Sequence, residues 1–284
     1  MLNDDTVQKI DSEQDKLTEI RKLQLLQIKL IRLFVDICEK ENLSYYMSGG
    51  TMLGAVRHNG YIPWDDDADF MMPREDYEKF IKVAPKYFNE DYSIDNFIYN
   101  KNFLYYFTRV VSLSDCVKIT SARKDRTENI WIDILPLDGM PKGKFLFNIH
   151  KFRLLALRAL YHYSLFDDLV NTDKPNRPWY EKILIFIGIH FPIQKMFSHS
   201  KRWLALDKGL KKYPCEDSDI WVNFMGGYKL KEMFPKSVFG DGNDLYDFEG
   251  MKLVGVKDYD TYLTGLYGDY MTPPPVEERT GHIS

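Results

Sequence analysis

The chain has 284 residues, 44% of them hydrophobic, and a net charge of −4. That length allows one large domain or two small ones with a sizeable core. The charge balance gives no bulk electrostatic case for a DNA- or RNA-binding protein. Cys38, Cys116 and Cys215 are odd in number and far apart, so they read neither as a disulfide framework nor as a zinc site, and they favour a reducing compartment. The polar, acidic start MLNDDTVQKIDSEQDK lacks the apolar core of a signal peptide. A cytoplasmic protein is expected.

In chain order, residues 14–41 carry Leu17, Ile20, Leu23, Leu30, Ile31, Phe34 and Ile37 at helical spacing, which predicts a long amphipathic helix. LSYYM (43–47) reads as a short strand, SGG as a turn, and TMLGAVRH (51–58) as a short helix with Ser48 or Thr51 near its cap. A loop, NGYIPW, leads into the strand DADFMM. Pro73 then opens a further helix, at the position where proline fits. Four strands are expected between 92 and 135: YSIDNFIY, YYFTRVVS, CVKIT and NIWIDIL. The order predicts an α+β or α/β fold with a small mixed sheet.

After Gly139 the pattern changes. Residues 143–166 and 179–205 read as helices with wide apolar faces. The run ILIFIGIHFPI (183–193) is shorter than the roughly 20 residues that span a bilayer. With Lys195, Lys201, Arg202 and Trp203 after it, it reads either as a buried helix or as one lying at a membrane surface. Pro273–Pro275 begins an irregular tail.

The chemistry concentrates in WDDDAD (64–69), where four aspartates sit between Trp64 and Phe70. Like charges at that density repel, and apolar neighbours sharpen the repulsion. If the strand starts early enough, alternation puts Asp65, Asp67 and Asp69 on one face and Asp66 on the other. Such a face suits one or two divalent ions that also bind phosphate oxygens. An EF-hand loop is excluded because Phe70 occupies the position that needs glycine. Upstream, Ser48, Gly49, Gly50 and Thr51 form a glycine turn before a helix, a place where backbone amides can meet phosphate. Arg57 is placed to neutralise phosphate charge, and His58 is a second candidate. Asp133 is a lone acid in the apolar stretch WIDIL. Such a charge needs a partner, either an arginine or a site. Asp138, past that strand, reads as a turn cap.

The stretch SGGTMLGAVRHNGYIPWDDDADFMMPREDYEKF (48–80) resembles the signature of the LicD family, phosphorylcholine transferases of bacterial surface polysaccharides, which fukutin-related proteins share. NIWIDILPLDGMP (129–141) and YLTGLYGDYMTPPPVEERTGHIS (262–284) resemble two further blocks of that family. The resemblance implies a nucleotidyltransferase-like core over 1–141, a helical acceptor- or membrane-facing subdomain over 142–250, and a C-terminal segment, 251–284, that completes the site. It implies Asp67, Asp69 and Asp133 as catalytic carboxylates, with Asp65 as a further metal ligand or support. Arg279 and His282 match polar positions that close over donor or acceptor.

The expected cofactor is Mg²⁺ or Mn²⁺, as two ions. The expected partners are CDP-choline or a related CDP-alcohol and a glycan acceptor, which can be lipid-linked, with peripheral contact at the cytoplasmic face of the membrane. One of Asp67, Asp69 and Asp133 is a candidate general base. Choline would call for an aromatic cage, with Tyr45, Trp64, Trp131, Trp179, Trp221, Tyr262, Tyr267 and Tyr270 as candidates. Three rival readings remain: a nucleotidyltransferase that leaves a nucleotide on its acceptor, an Asp-x-Asp glycosyltransferase, and a catalytically dead membrane-surface scaffold.

Overall fold

In the computed structural model, residues 4–119, 126–165 and 198–276 are described, together with Trp179, Lys182, Ile183, Ile185, Phe186 and Arg279; side chains are described from Leu17 onward, apart from those of Lys118, Ile119, Arg126 and Lys229. Helix α1 (Asp4–Glu41) is longer than its apolar periodicity suggests. Its Leu30, Ile31, Phe34 and Ile37 are fully buried against the sheet. Two glutamines on the same helix are buried as well, and they hold the acidic loop. Gln24 Nε2 donates to the carbonyl of Asp65 at 2.8 Å, and Gln27 Nε2 donates to those of Asp66 at 3.0 Å and Trp131 at 3.1 Å. Buried carbonyls outside the ladder need such partners.

After α1 come β1 (Tyr46–Met47), α2 (Gly49–His58), β2 (Asp69–Pro73) and α3 (Arg74–Val83). Proline ends β2 and caps α3 rather than occupying its first turn. Strands β3 (Tyr92–Asp95), β4 (Thr108–Ile119) and β5 (Arg126–Gly139) follow. The segments YYFTRVVS and CVKIT belong to one strand, β4, interrupted by a register shift between Val111 and Cys116. A bulge of this kind keeps a long strand paired while its twist changes.

Helices α4 (Lys144–Ser164) and α5 (His199–Leu210) pack together beside the sheet. The run 183–193 lies mostly outside the described residues. No described helix is long and apolar enough to cross a membrane.

The chain then returns to the sheet as β6 (Ile220–Val222) and β7 (Met233–Pro235), so residues 142–250 are not helical throughout. The short α6 (Lys236–Phe239), the hairpin β8 (Leu245–Phe248)–β9 (Met251–Val254) and α7 (Tyr259–Tyr267) finish the described fold. The sheet runs β1-β2-β5-β4-β3, with β6 on β5 and β7 on β6. Its strands are antiparallel except β2 and β5, which are parallel and place Asp69 opposite Asp133. The fold is α+β.

Asp138 is not a turn cap. It is buried in β5 and forms a bidentate ion pair with Arg74, with Nε to Oδ1 at 2.7 Å and Nη2 to Oδ2 at 2.8 Å. Sequence alone could not show it, because the partner enters from α3, 64 residues away.

Candidate active site

The acids meet at the end of the sheet. Strand β2 begins only at Asp69, so Asp65, Asp66 and Asp67 lie in the loop before it and strand alternation does not sort them. The loop nevertheless separates them as that pattern would. Asp65, Asp67, Asp69 and Asp133 line one cleft of about 610 Å³, whereas Asp66 is buried and absent from its wall. Asp65, Asp66 and Asp67 can each bring one carboxylate oxygen within 4.8 Å of the others.

Gly49 and Gly50, expected in a turn before the helix, are instead the first residues of α2, which starts two residues before Thr51, and they line the cleft beside the acids. Gly49 has φ +47°, a backbone conformation that side-chain-bearing residues rarely adopt, and a Cβ on Gly50 would meet Asp65 Oδ2 at 2.6 Å. These positions are therefore glycine because the chain turns left-handed at one and touches a carboxylate at the other. The Gly49 amide already donates to Tyr262 Oη at 3.1 Å, and Ser48 Oγ lies 3.4 Å from the same oxygen. Part of the helix N-terminus expected to meet phosphate is thus tied to α7. Thr51 is buried, and its Oγ1 accepts from the Asp69 amide at 2.8 Å, fixing the turn to the acidic strand.

The electrostatics are strained by design of the site. Burial, then the charges of Asp67, Asp133 and Asp65, push the Asp69 carboxyl well above its ordinary range. Asp133 has a partner as well as a site: Arg109 Nε donates to its Oδ1 at 3.0 Å, and Nη1 of the same guanidinium reaches Glu128. Arg109 is itself held over the rings of Trp131 at 4.3 Å and Tyr105 at 4.5 Å.

Arg57 and His58 do not line the cleft. Arg57 donates to the Tyr270 carbonyl at 2.7 Å and to His58 Nε2 at 3.0 Å. Burial and the neighbouring Arg279 lower the Arg57 pKa, and burial with Arg57 lowers that of His58. Arg279 covers the ring of Trp64 at 4.5 Å, and Trp64 in turn forms part of the cleft wall. These residues make a basic, aromatic shoulder beside the acids. His282 lies outside the described residues.

The far wall was not legible in advance. Asn223, Met225, Gly226, Gly227, Tyr228 and Glu232 reach the cleft from the β6–β7 connection. Glu232 is buried; its Oε2 accepts from Asn223 Nδ2 at 2.6 Å and its Oε1 from the Tyr228 amide at 2.8 Å. Burial raises its carboxyl to about 7 despite both bonds. Its only sequence signal is an acid inside KLKEMFP, which charged neighbours disguise as a surface turn.

A glycine turn facing a carboxylate cluster at the end of a mixed sheet is the arrangement of a nucleotidyltransferase-type site. The LicD/FKTN/FKRP nucleotidyltransferase domain matches residues 42–151. The lipopolysaccharide cholinephosphotransferase LicD of Haemophilus influenzae is 32% identical over 275 residues, covering 94% of this chain and 96% of that protein. An uncharacterized protein of Rickettsia prowazekii is 24% identical over 198 residues, 66% of this chain and 70% of its own length. The human ribitol 5-phosphate transferase FKRP is 42% identical over 45 residues, 16% of this chain and 9% of its own length. The chain belongs to the LicD family.

Proposed function

We propose that this chain transfers phosphocholine, or a similar phospho-alcohol, from a CDP-linked donor to a sugar hydroxyl of a cell-surface glycan precursor. The observation that carries this reading is the meeting of Asp65, Asp67, Asp69 and Asp133 with the Gly49–Gly50 turn in one cleft, in a chain related along nearly all its length to a cholinephosphotransferase. A hard divalent cation, Mg²⁺ or Mn²⁺, fits the donor set, because all four candidate ligands are carboxylates and Asp69 is held under charge repulsion that a cation would relieve. Bound there, such an ion would supply Lewis-acid stabilisation of phosphate charge.

The chain's own residues account for the remaining work. The Gly49–Gly50 backbone lets a diphosphate approach the carboxylates closely. Arg57 and Arg279, on the shoulder, supply positive charge near the leaving cytidine monophosphate. Glu232 is the favoured general base: a carboxyl near 7 can accept the proton of the sugar hydroxyl and still be ionised in a useful fraction at neutral pH. The hydroxyl oxygen then bonds to phosphorus, the bond to CMP breaks, and CMP carries away the electron pair.

Surface features support contact with a membrane-borne acceptor. On α4, Phe145 is 76% and Phe152 65% exposed, with Ile149 between them on the same stripe. Lys144 lies at the start of this helix, and Lys151 rests over the Phe152 ring at 5.4 Å. Apolar rings flanked by lysines suit an anionic lipid surface.

The test is mass spectrometry of a glycan acceptor incubated with the protein, a divalent cation and CDP-choline, CDP-ribitol or CDP-glycerol in turn. A gain of the phospho-alcohol with release of CMP supports the reading. A gain of a nucleotide instead would assign the cleft to nucleotidyl transfer.

A further inference from the structure

Within that reading, the cleft must distinguish a trimethylammonium group from other alcohol substituents. A quaternary ammonium has no N–H to donate, so a carboxylate cannot hydrogen-bond it; the faces of aromatic rings, with negative charge nearby, hold it instead. The aromatic residues singled out by sequence are reduced sharply by the structure. Tyr45, Trp221, Tyr262 and Tyr270 are buried in the core. Trp131 is covered by Arg109 at 4.3 Å and Trp64 by Arg279 at 4.5 Å. Trp179 is exposed and is not part of the cleft wall. Phe107, which does line the cleft, is stacked on Tyr105 at 5.2 Å. Tyr267 remains, and it stands beside Tyr228, which sequence had not picked out.

We propose that Tyr228 and Tyr267 form the subsite for the quaternary ammonium of the donor, a two-ring corner at the rim of the acidic cleft. Their ring centroids are 5.3 Å apart and their planes cross at 81°, an edge-to-face pair that leaves one face of the edge-on ring free of its partner. Both rings belong to the cleft wall with Asp65, Asp67, Asp69 and Glu232. Tyr228 is 43% exposed, which leaves the corner open to an incoming ligand. A Cβ on Gly49 would lie 3.5 Å from Tyr267 Oη, so the corner adjoins the turn assigned to phosphate. That juxtaposition matches the short distance between a choline nitrogen and its phosphate. Negative charge is close by: Asp65 raises the pKa of both tyrosines, and Asp67 and Glu232 add to the effect at Tyr228.

The experiment compares KM and kcat for CDP-choline and CDP-ethanolamine in the wild type, Tyr228→Leu, Tyr267→Leu, Tyr228→Phe and Tyr267→Phe. Ethanolamine ends in a primary ammonium, which carboxylates can hydrogen-bond. Each leucine variant is expected to raise KM for CDP-choline about ten-fold and KM for CDP-ethanolamine by clearly less, because its ammonium keeps hydrogen bonds to carboxylates, with both kcat values little changed. The phenylalanine variants keep the ring and should stay within about two-fold of the wild type. Thermal unfolding midpoints identify any variant that has lost its fold; Tyr228, being half exposed, is the safer of the two positions and carries the test alone if Tyr267→Leu unfolds. A leucine variant that raises both KM values equally, or neither, overturns the subsite while leaving the transferase reading intact. A wild type that transfers no phosphocholine overturns the reading of the cleft and the subsite with it.

Discussion

Replacing Asp69 with asparagine should abolish transfer and yet stabilise the metal-free protein. Asp69 is half-buried, faces Asp133 across the β2–β5 register, and shares the cleft with Asp65 and Asp67. Adjacent strands are about 4.8 Å apart. Two like charges about 5 Å apart repel by about 3 kcal/mol at an effective dielectric near 20. Arg109 cancels part of the Asp133 charge, and Asp69 escapes part of the repulsion by taking a proton. A gain of about 1–3 kcal/mol is therefore expected on neutralisation. Unfolding entropy of about 2.1 cal/mol/K per residue converts this, for 284 residues, to a rise in melting temperature of about 2–5 °C.

The sign with pH follows from linkage. A carboxyl whose pKa is raised on folding contributes its stability in the protonated state, and that stability is lost as pH climbs through the raised value. In chelator, the wild type should lose stability from about pH 4 upward relative to Asp69→Asn, so the two melting curves diverge toward neutral pH. Added Mg²⁺ should reverse the order, because a ligand at about a hundred times its dissociation constant stabilises the native state by about 2.7 kcal/mol. Differential scanning fluorimetry with chelator or Mg²⁺, from pH 4 to 8, reads all of this. A variant that melts below the wild type in chelator at neutral pH, or gains as much from Mg²⁺, would refute the argument.

Other residues give separate tests. If Glu232 is the base, wild-type kcat/KM should rise with pH and level off above about 7, and Glu232→Gln should lose that limb along with about 10²–10⁴-fold in rate; an unchanged pH profile in the variant returns the role to an aspartate. Asp138→Ala leaves the buried Arg74 with only its longer contact to Asp207, at 3.9 Å, and should cost about 3–5 kcal/mol by urea denaturation; a loss under about 1 kcal/mol would mean that Asp207 takes over the pairing. Replacing Phe145, Ile149 and Phe152 together with serine should abolish sedimentation with anionic vesicles while leaving the melting temperature nearly unchanged, since all three are exposed; undiminished sedimentation would place lipid contact elsewhere.

Much of the site could be read along the chain because its parts are local. The glycine turn, the aspartates and the apolar residues around them lie within Ser48–Met72, and their spacing already separates Asp65, Asp67 and Asp69 from Asp66. The physical basis assumed for that separation was strand alternation, and it does not hold: the first three acids sit in a loop whose path is set by Gln24 and Gln27 on α1. Asp133 was legible as an acid that required a partner, and the structure assigns it two neighbours, Arg109 on the adjacent strand and Asp69 across the register.

Composition and periodicity narrowed the fold to α+β or α/β and marked the long first helix and the positions of most strands, because each depends on side chains a few residues apart facing a common side. Encounters between distant segments were left to the packing of the whole chain. The β6–β7 return brings Asn223, Tyr228 and Glu232 to acids more than 150 residues earlier, and α7 brings Tyr262 and Tyr267 to the glycine turn. Nothing local marks Asn223, Tyr228 or Glu232, since a buried glutamate and a surface one carry the same letters. Desolvation and the company of other charges, which only the assembled fold supplies, raise Glu232 to about 7 and push Asp69 well above the ordinary carboxylate range.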